Sequence, residues 1–251
     1  MKILSIGNSF SQDAQRYVHQ IAKSNGDDIY CANLYIGGCS LERHYNNVLN
    51  DAAEYDYQIN GNDEDCEKIS IKDALQRDVW DIITVQQVSS YSGMYETYYP
   101  YIKDVIAYAK KFCPDVKIYL HQTWSYEQGS SHGDFKNYNN DTDLMFEKIV
   151  ETNKKVFENE KLDYLIPDGE IINELRKTKE FDYKNGGLSL CRDTFHMSYD
   201  FGRYALSLAW YKILSSKSVK NITYTPPYDN KDDDFYNKIE LIKNTVDNYI
   251  K

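Results

Sequence analysis

Lys2-Ile3-Leu4-Ser5-Ile6 runs directly into Gly7-Asn8-Ser9-Phe10-Ser11 and then into an amphipathic stretch, Asp13–Ser24. The apolar run reads as a buried strand and the stretch after it as a helix, which puts Ser9 on a tight strand-to-helix turn. A serine there has its N–H at a helix N-terminus and its hydroxyl at the carboxyl edge of a sheet, where α/β folds place their chemistry. Ser9 is therefore a candidate nucleophile, provided the chain also supplies a base. The competing reading is structural: Asn8, Ser9 or Ser11 caps the helix, a common use of Ser and Asn.

The alternation begun at Lys2 continues along the chain. Strand-like runs at Ile3–Ile6, Ile29–Ile36, Asp81–Gln86, Val116–His121 and Tyr164–Ile166 each precede a helical pattern, beginning near Ser40 after the second and spanning Tyr98–Phe112, Asp141–Asn159 and Glu170–Lys177 after the rest. Unbroken apolar strands alternating with helices predict a three-layer α/β/α sandwich around a mostly parallel five-stranded sheet. Right-handed crossovers put every strand carboxyl end on one edge, so Ser9, Gly37-Gly38, Gln86-Gln87 and His121-Gln122 should converge there. Two stretches interrupt the pattern. Asn60–Glu67, with Asp63, Glu64, Asp65 and Glu67, reads as a solvated loop whose spacing does not match an EF-hand. Tyr126–Asn140, rich in Gly, Ser, Asn and Tyr, is long for a connection and reads as a lid over the strand ends. Helices at Asp200–Leu214 and Phe235–Ile250, joined through Pro226-Pro227, close what is expected to be one domain.

The chain has 251 residues, 41% of them hydrophobic, enough for one sizeable core. A formal net charge of -10 argues against nucleic acid or an anionic membrane as partner, since both require a concentrated positive field, and favours a neutral small molecule. The 24 tyrosines supply amphipathic rings suited to a polar organic ligand. Five cysteines without CxxC spacing predict neither a disulfide framework nor a zinc ribbon. No basic leader and no long apolar run is present, which reads as a soluble, cytoplasmic chain.

A base stands near the other end, in Cys191-Arg192-Asp193-Thr194-Phe195-His196. An aspartate and a histidine three apart on a loop can meet, the carboxylate orienting the imidazole while its other nitrogen faces a nucleophile. The remaining histidines have blander readings: His19 and His44 on helices, His132 in the polar loop. Gly38 lets a backbone N–H approach a ligand closely, and Gln86 or Gln87 at the end of a buried strand could add a side-chain donor. His121, Gln122, Trp124 and Tyr126 would line the same edge, and Arg192 reads as the partner of an acidic loop residue. There is no GxGxxG, no Walker pattern and no strand-end carboxylate cluster, which sets aside nucleotide binding and magnesium-dependent phosphoryl chemistry.

Taken in order, Gly7-Asn8-Ser9-Phe10, Gly38, Gln86-Gln87 and Asp193-x-x-His196 resemble the four blocks of the SGNH (GDSL-like) hydrolase superfamily. Ile36–Leu41 with His121-Gln122-Thr123-Trp124 resembles its DUF4886 branch. The resemblance implies an SGNH/flavodoxin-like fold and a catalytic set of Ser9, Asp193 and His196, with the N–H groups of Ser9 and Gly38 in the oxyanion hole. It implies a serine esterase acting on a small acyl ester, an O-acetylated carbohydrate being the expected substrate, with no metal or organic cofactor. The family's third block carries an asparagine that is absent here, and Gln86 is the expected substitute. Gln87, His121, Gln122 and Trp124 are the expected substrate contacts. The alternative is a non-catalytic carbohydrate-binding module on the same scaffold.

Overall fold

The computed structural model describes residues 1–251. Its centre is a seven-stranded sheet in the order β4-β3-β2-β1-β5-β6-β7. β1 (Lys2–Gly7), β2 (Tyr30–Tyr35), β5 (Ile82–Val85), β6 (Lys117–His121) and β7 (Tyr164–Ile166) run parallel. These are the five strands that the apolar runs predict.

The other two correct the expectation of a five-stranded sheet. β3 (Tyr55–Ile59) and β4 (Asn62–Ile69) form an antiparallel hairpin that extends the β2 edge, so the acidic segment read as a loop is an edge strand. Charge on five of the eight β4 residues erases the alternation that betrays a strand, and at an open edge such charge also discourages pairing with a second chain. A signal was present: Asn60-Gly61, with φ of +53° and +78°, is the two-residue turn that favours a hairpin.

Helices α1 (Ser9–Gln15), α2 (Val18–Ser24), α7 (Asp168–Arg176), α8 (Phe201–Ser215) and α9 (Asp233–Tyr249) cover one face with a 40-residue core. α3 (Leu41–Asn50), α4 (Ile71–Arg77) and α5 (Tyr101–Phe112) cover the other with a core of 25 residues. α6 (Thr142–Glu160) leads into β7. The period-two pleat of β1 divides its side chains accordingly: Ile3 enters the larger core, while Leu4 and Ile6 enter the smaller. The single helix expected over Asp13–Ser24 is interrupted at Tyr17 because Ser207 of α8 inserts there. Its hydroxyl accepts the Tyr17 N–H at 3.1 Å and donates to Ala14 O at 2.9 Å, replacing bonds that a continuous helix would make to itself. No helix is long and apolar enough to cross a membrane.

Candidate active site

Asn8 caps α1 and frees Ser9 from that duty. Its Oδ1 accepts the Phe10 N–H at 2.9 Å, while its own N–H donates to Ser11 Oγ at 3.0 Å, a reciprocal box that leaves the Ser9 hydroxyl unclaimed by the helix. From the other end of the chain, His196 Nε2 reaches Ser9 Oγ at 2.9 Å. His196 Nδ1 donates to Asp193 Oδ2 at 2.7 Å, and the other carboxylate oxygen accepts the His196 N–H at 2.7 Å. With its proton held on Nδ1 by Asp193, the imidazole turns a lone pair toward the serine. Burial alone would raise the Asp193 pKa, but the hydrogen bonds from His196 and the Phe195 N–H outweigh it and hold the carboxyl below its usual range.

Neither the Ser9 N–H nor the Gly38 N–H donates to a protein acceptor. Gly38 has φ +61°, the left-handed conformation that glycine adopts without a Cβ clash. Both residues border a cleft of about 210 Å³ whose walls are Asn8, Phe10, Val88, Ser89, His132, Phe195 and His196. The Ser9 hydroxyl, the His196 imidazole and two unspent N–H donors thus border one small space. A larger cleft, about 820 Å³, opens by the amino ends of β5 and β6 and contains none of these groups.

A family model described as "Domain of unknown function (DUF4886)" matches residues 2–236. The chain belongs to the DUF4886 family. It is similar to a DUF4886 family protein from Bacteroides uniformis at 30% identity and a TM-score of 0.89, over 100% of this chain and 94% of that one. It is also similar to a protein from Slackia heliotrinireducens assigned provisionally to the SGNH hydrolases, at 17% identity and a TM-score of 0.57, covering 85% and 98% of the two chains. A family 3 carbohydrate esterase from Clostridium thermocellum aligns at 14% identity and a TM-score of 0.50, over 86% and 98%. At such identities, what these last two share with the chain is the fold. Curated proteins give no match.

The expected polar lining of this DUF4886 cleft needs correction. Gln86 is not free to serve the oxyanion hole: its Nε2 donates to Asn8 Oδ1 at 2.9 Å and its Oε1 accepts from His121 Nδ1 at 2.8 Å. Gln87 accepts the Leu41 and Val88 N–H groups and donates to Thr97. Gln122 exchanges hydrogen bonds with Glu170 on α7. Trp124 is fully buried, stacked on Phe10 at 4.2 Å with its Nε1 donating to Phe195 O, so it supports the cleft from beneath. Tyr126 is likewise buried, its hydroxyl 2.8 Å from Ser89 Oγ. Buried polar groups must find partners, and protein groups supply them to Gln86, Gln87, Gln122, Trp124 and Tyr126.

His121 is a member of a buried chain of contacts that leads to the Ser9 turn. Its Nε2 lies 2.8 Å from Asp168 Oδ2 at the start of α7, and that oxygen also accepts Trp210 Nε1 at 2.8 Å. The sequence of contacts Asp168, His121, Gln86, Asn8 ends on the residue before Ser9. Asn8 Nδ2 in turn donates to Cys39 O at 3.0 Å, tying the Ser9 turn to the Gly38 loop. One asparagine therefore fixes the spacing of the two N–H donors.

A second anchor was not read from the sequence. Asp13, one turn beyond Ser9 on α1 and fully buried, accepts from Arg203 Nε at 2.7 Å, Arg192 Nη1 at 3.0 Å and the Met197 N–H at 2.8 Å. It clamps the loop carrying His196 to the helix carrying Ser9. Arg192 thus pairs with a helix residue and not with an acidic loop. The i,i+4 spacing of Ser9 and Asp13 was the available signal. The 126–140 segment is also tied to the loop carrying Asp193 and His196: Glu127 N–H donates to Thr194 O at 2.8 Å, and Ser130 Oγ lies 2.8 Å from Thr194 Oγ1. Those bonds hold Thr194, between Asp193 and Phe195, at φ +74°, a conformation that disfavours a β-branched residue.

Proposed function

We propose that this DUF4886 protein is a carboxylic ester hydrolase that works through Ser9. The observation carrying this reading is the Ser9 Oγ to His196 Nε2 contact of 2.9 Å, with Asp193 behind it, facing a cleft with two unspent N–H groups. His196 takes the Ser9 proton as Oγ attacks the ester carbonyl. The N–H groups of Ser9 and Gly38 receive the developing oxyanion, a contribution of about 3 kcal/mol for each well-placed donor. The carbon–oxygen bond to the alcohol breaks as His196 returns the proton to it. Water, activated by the same imidazole, then releases the acid from the acyl-enzyme.

The small cleft and its Phe10, Val88 and Phe195 walls favour a short acyl group, and acetyl is the group we assign. A carbohydrate as the alcohol is consistent with the -10 net charge, which disfavours anionic ligands. The fold shared with a carbohydrate esterase points the same way. An intact Ser9, Asp193 and His196 weighs against a purely binding role, which needs none of them. The test is hydrolysis of p-nitrophenyl acetate. Ser9→Ala should lower kcat by more than about a thousandfold, and a fluorophosphonate should label Ser9 stoichiometrically. Activity that survives Ser9→Ala removes Ser9 from the mechanism.

A further inference from the structure

With Gln86 and Gln87 committed elsewhere, the cleft retains one side chain whose hydrogen-bonding state the structure fixes and whose free nitrogen has no protein partner. His132, on the 126–140 segment, caps a short 3-10 helix at Gly133–Tyr138. Its Nδ1 accepts the Asp134 N–H at 3.2 Å and therefore bears no proton. The ring proton of the neutral imidazole must then sit on Nε2, which makes this nitrogen a donor. The ring is held on two sides, 4.9 Å and edge-on from Phe195 and 4.7 Å from Tyr126, and it forms part of the cleft wall with Ser9, Gly38 and His196. Ser130 Oγ, which accepts the His132 backbone N–H at 3.3 Å, contacts Thr194 as well, so the segment carrying the ring is tethered to the loop of Asp193 and His196.

Its side of the cleft decides which oxygen it meets. The carbonyl oxygen belongs with the Ser9 and Gly38 N–H groups. The departing oxygen must lie where His196 can protonate it, and His132 packs on Phe195, whose ring is 4.3 Å from that of His196. We propose that His132 donates a hydrogen bond from Nε2 to the alcohol oxygen of the bound ester, stabilising it as the carbon–oxygen bond breaks. The proton that completes the alcohol still comes from Ser9 through His196, and His132 keeps its own. This deepens the esterase reading and rests on it.

The experiment compares kcat/KM for ethyl acetate and p-nitrophenyl acetate, which share the acyl group and differ in the leaving oxygen. An ethoxide has nowhere to delocalise its charge, whereas p-nitrophenoxide spreads it over the ring. His132→Ala should lower kcat/KM for ethyl acetate by about 10- to 100-fold, the size expected for a hydrogen bond to a group gaining charge, and for the aryl ester by less than about threefold. His132→Asn retains an acceptor for the Asp134 N–H but lacks the ring, and should behave alike. Far-UV circular dichroism reports whether each variant folds, and only folded variants are compared. Equal losses on both esters, or no loss on either, overturn the role of His132 while Ser9→Ala still abolishes activity. A wild-type protein that hydrolyses neither ester and resists the fluorophosphonate overturns the esterase reading, and this inference with it.

Discussion

Replacing Asp13 with alanine tests the claim that a buried carboxylate, rather than local sequence, sets the position of His196, the general base of the proposed mechanism. The side chain has no solvent exposure, and its two oxygens serve Arg203, Arg192 and the Met197 N–H. Removing it affects the two cations differently. Arg192, with 21% of its side chain exposed, can turn to water, but Arg203, with 5%, cannot. The cost is dominated by that stranded guanidinium, about 3–5 kcal/mol for breaking a buried pair. For a chain of this size each kcal/mol moves Tm by about 2–4 °C, so Tm should fall by about 6–20 °C. Arg203→Met alone leaves Asp13 with Arg192, and the double change Asp13→Ala with Arg203→Met removes both buried charges together. The double variant should therefore be more stable than the sum of the singles by about 2 kcal/mol or more. Urea unfolding followed by far-UV circular dichroism, with m unchanged across the set, measures each cost. A loss below about 1 kcal/mol for Asp13→Ala, the range of an exposed pair, or strict additivity in the cycle, would refute the reasoning. Where Asp13→Ala remains folded, kcat should fall, because the residue after His196 has lost its backbone anchor.

Asp168→Ala leaves Trp210 Nε1 without an acceptor and removes the carboxylate 2.8 Å from His121 Nε2; it should cost about 3 kcal/mol in denaturant unfolding and lower kcat more than it raises KM, because the chain of contacts it begins ends at Asn8. The two glycines of the site should respond differently. A Cβ on Gly7 would lie 2.1 Å from Ser11 Oγ, so Gly7→Ala must push the capping box aside and should abolish fluorophosphonate labelling. A Cβ on Gly38 meets nothing within 4 Å, leaving only the left-handed backbone penalty of about 1–2 kcal/mol, measurable as a shift in urea midpoint. Burial would raise the Asp247 pKa, but the Lys212 ammonium and the Val219 N–H bring it down to about 2. A lowered folded pKa stabilises above the unfolded value near 3.8 and loses that contribution as pH falls to about 2. The stability gap between wild type and Asp247→Asn, read by thermal melts, should therefore close across that window; a gap independent of pH contradicts the assignment.

Local pattern alone determined the parallel half of this molecule. Apolar strands announce themselves wherever both faces are buried, and right-handed crossovers then oblige Ser9, Gly38, Gln86 and His121 to meet at one edge. Asp193-x-x-His196 was legible for a similar reason, since three residues of loop suffice to join a carboxylate to an imidazole. What the tertiary structure decided is how each polar group at that edge is used. Gln86 and His121 became internal struts because the neighbours awaiting them, Asn8 and Asp168, come from distant segments, and Trp124 went beneath the cleft because Phe10 offered it a ring to stack on. Asp13 and His132 gained their roles the same way, from Arg203 and from Phe195 and Tyr126. Periodicity records which face of an element is buried, but a hydrogen bond depends on which atoms meet across the core. Most of the partners here come from segments far apart in the chain.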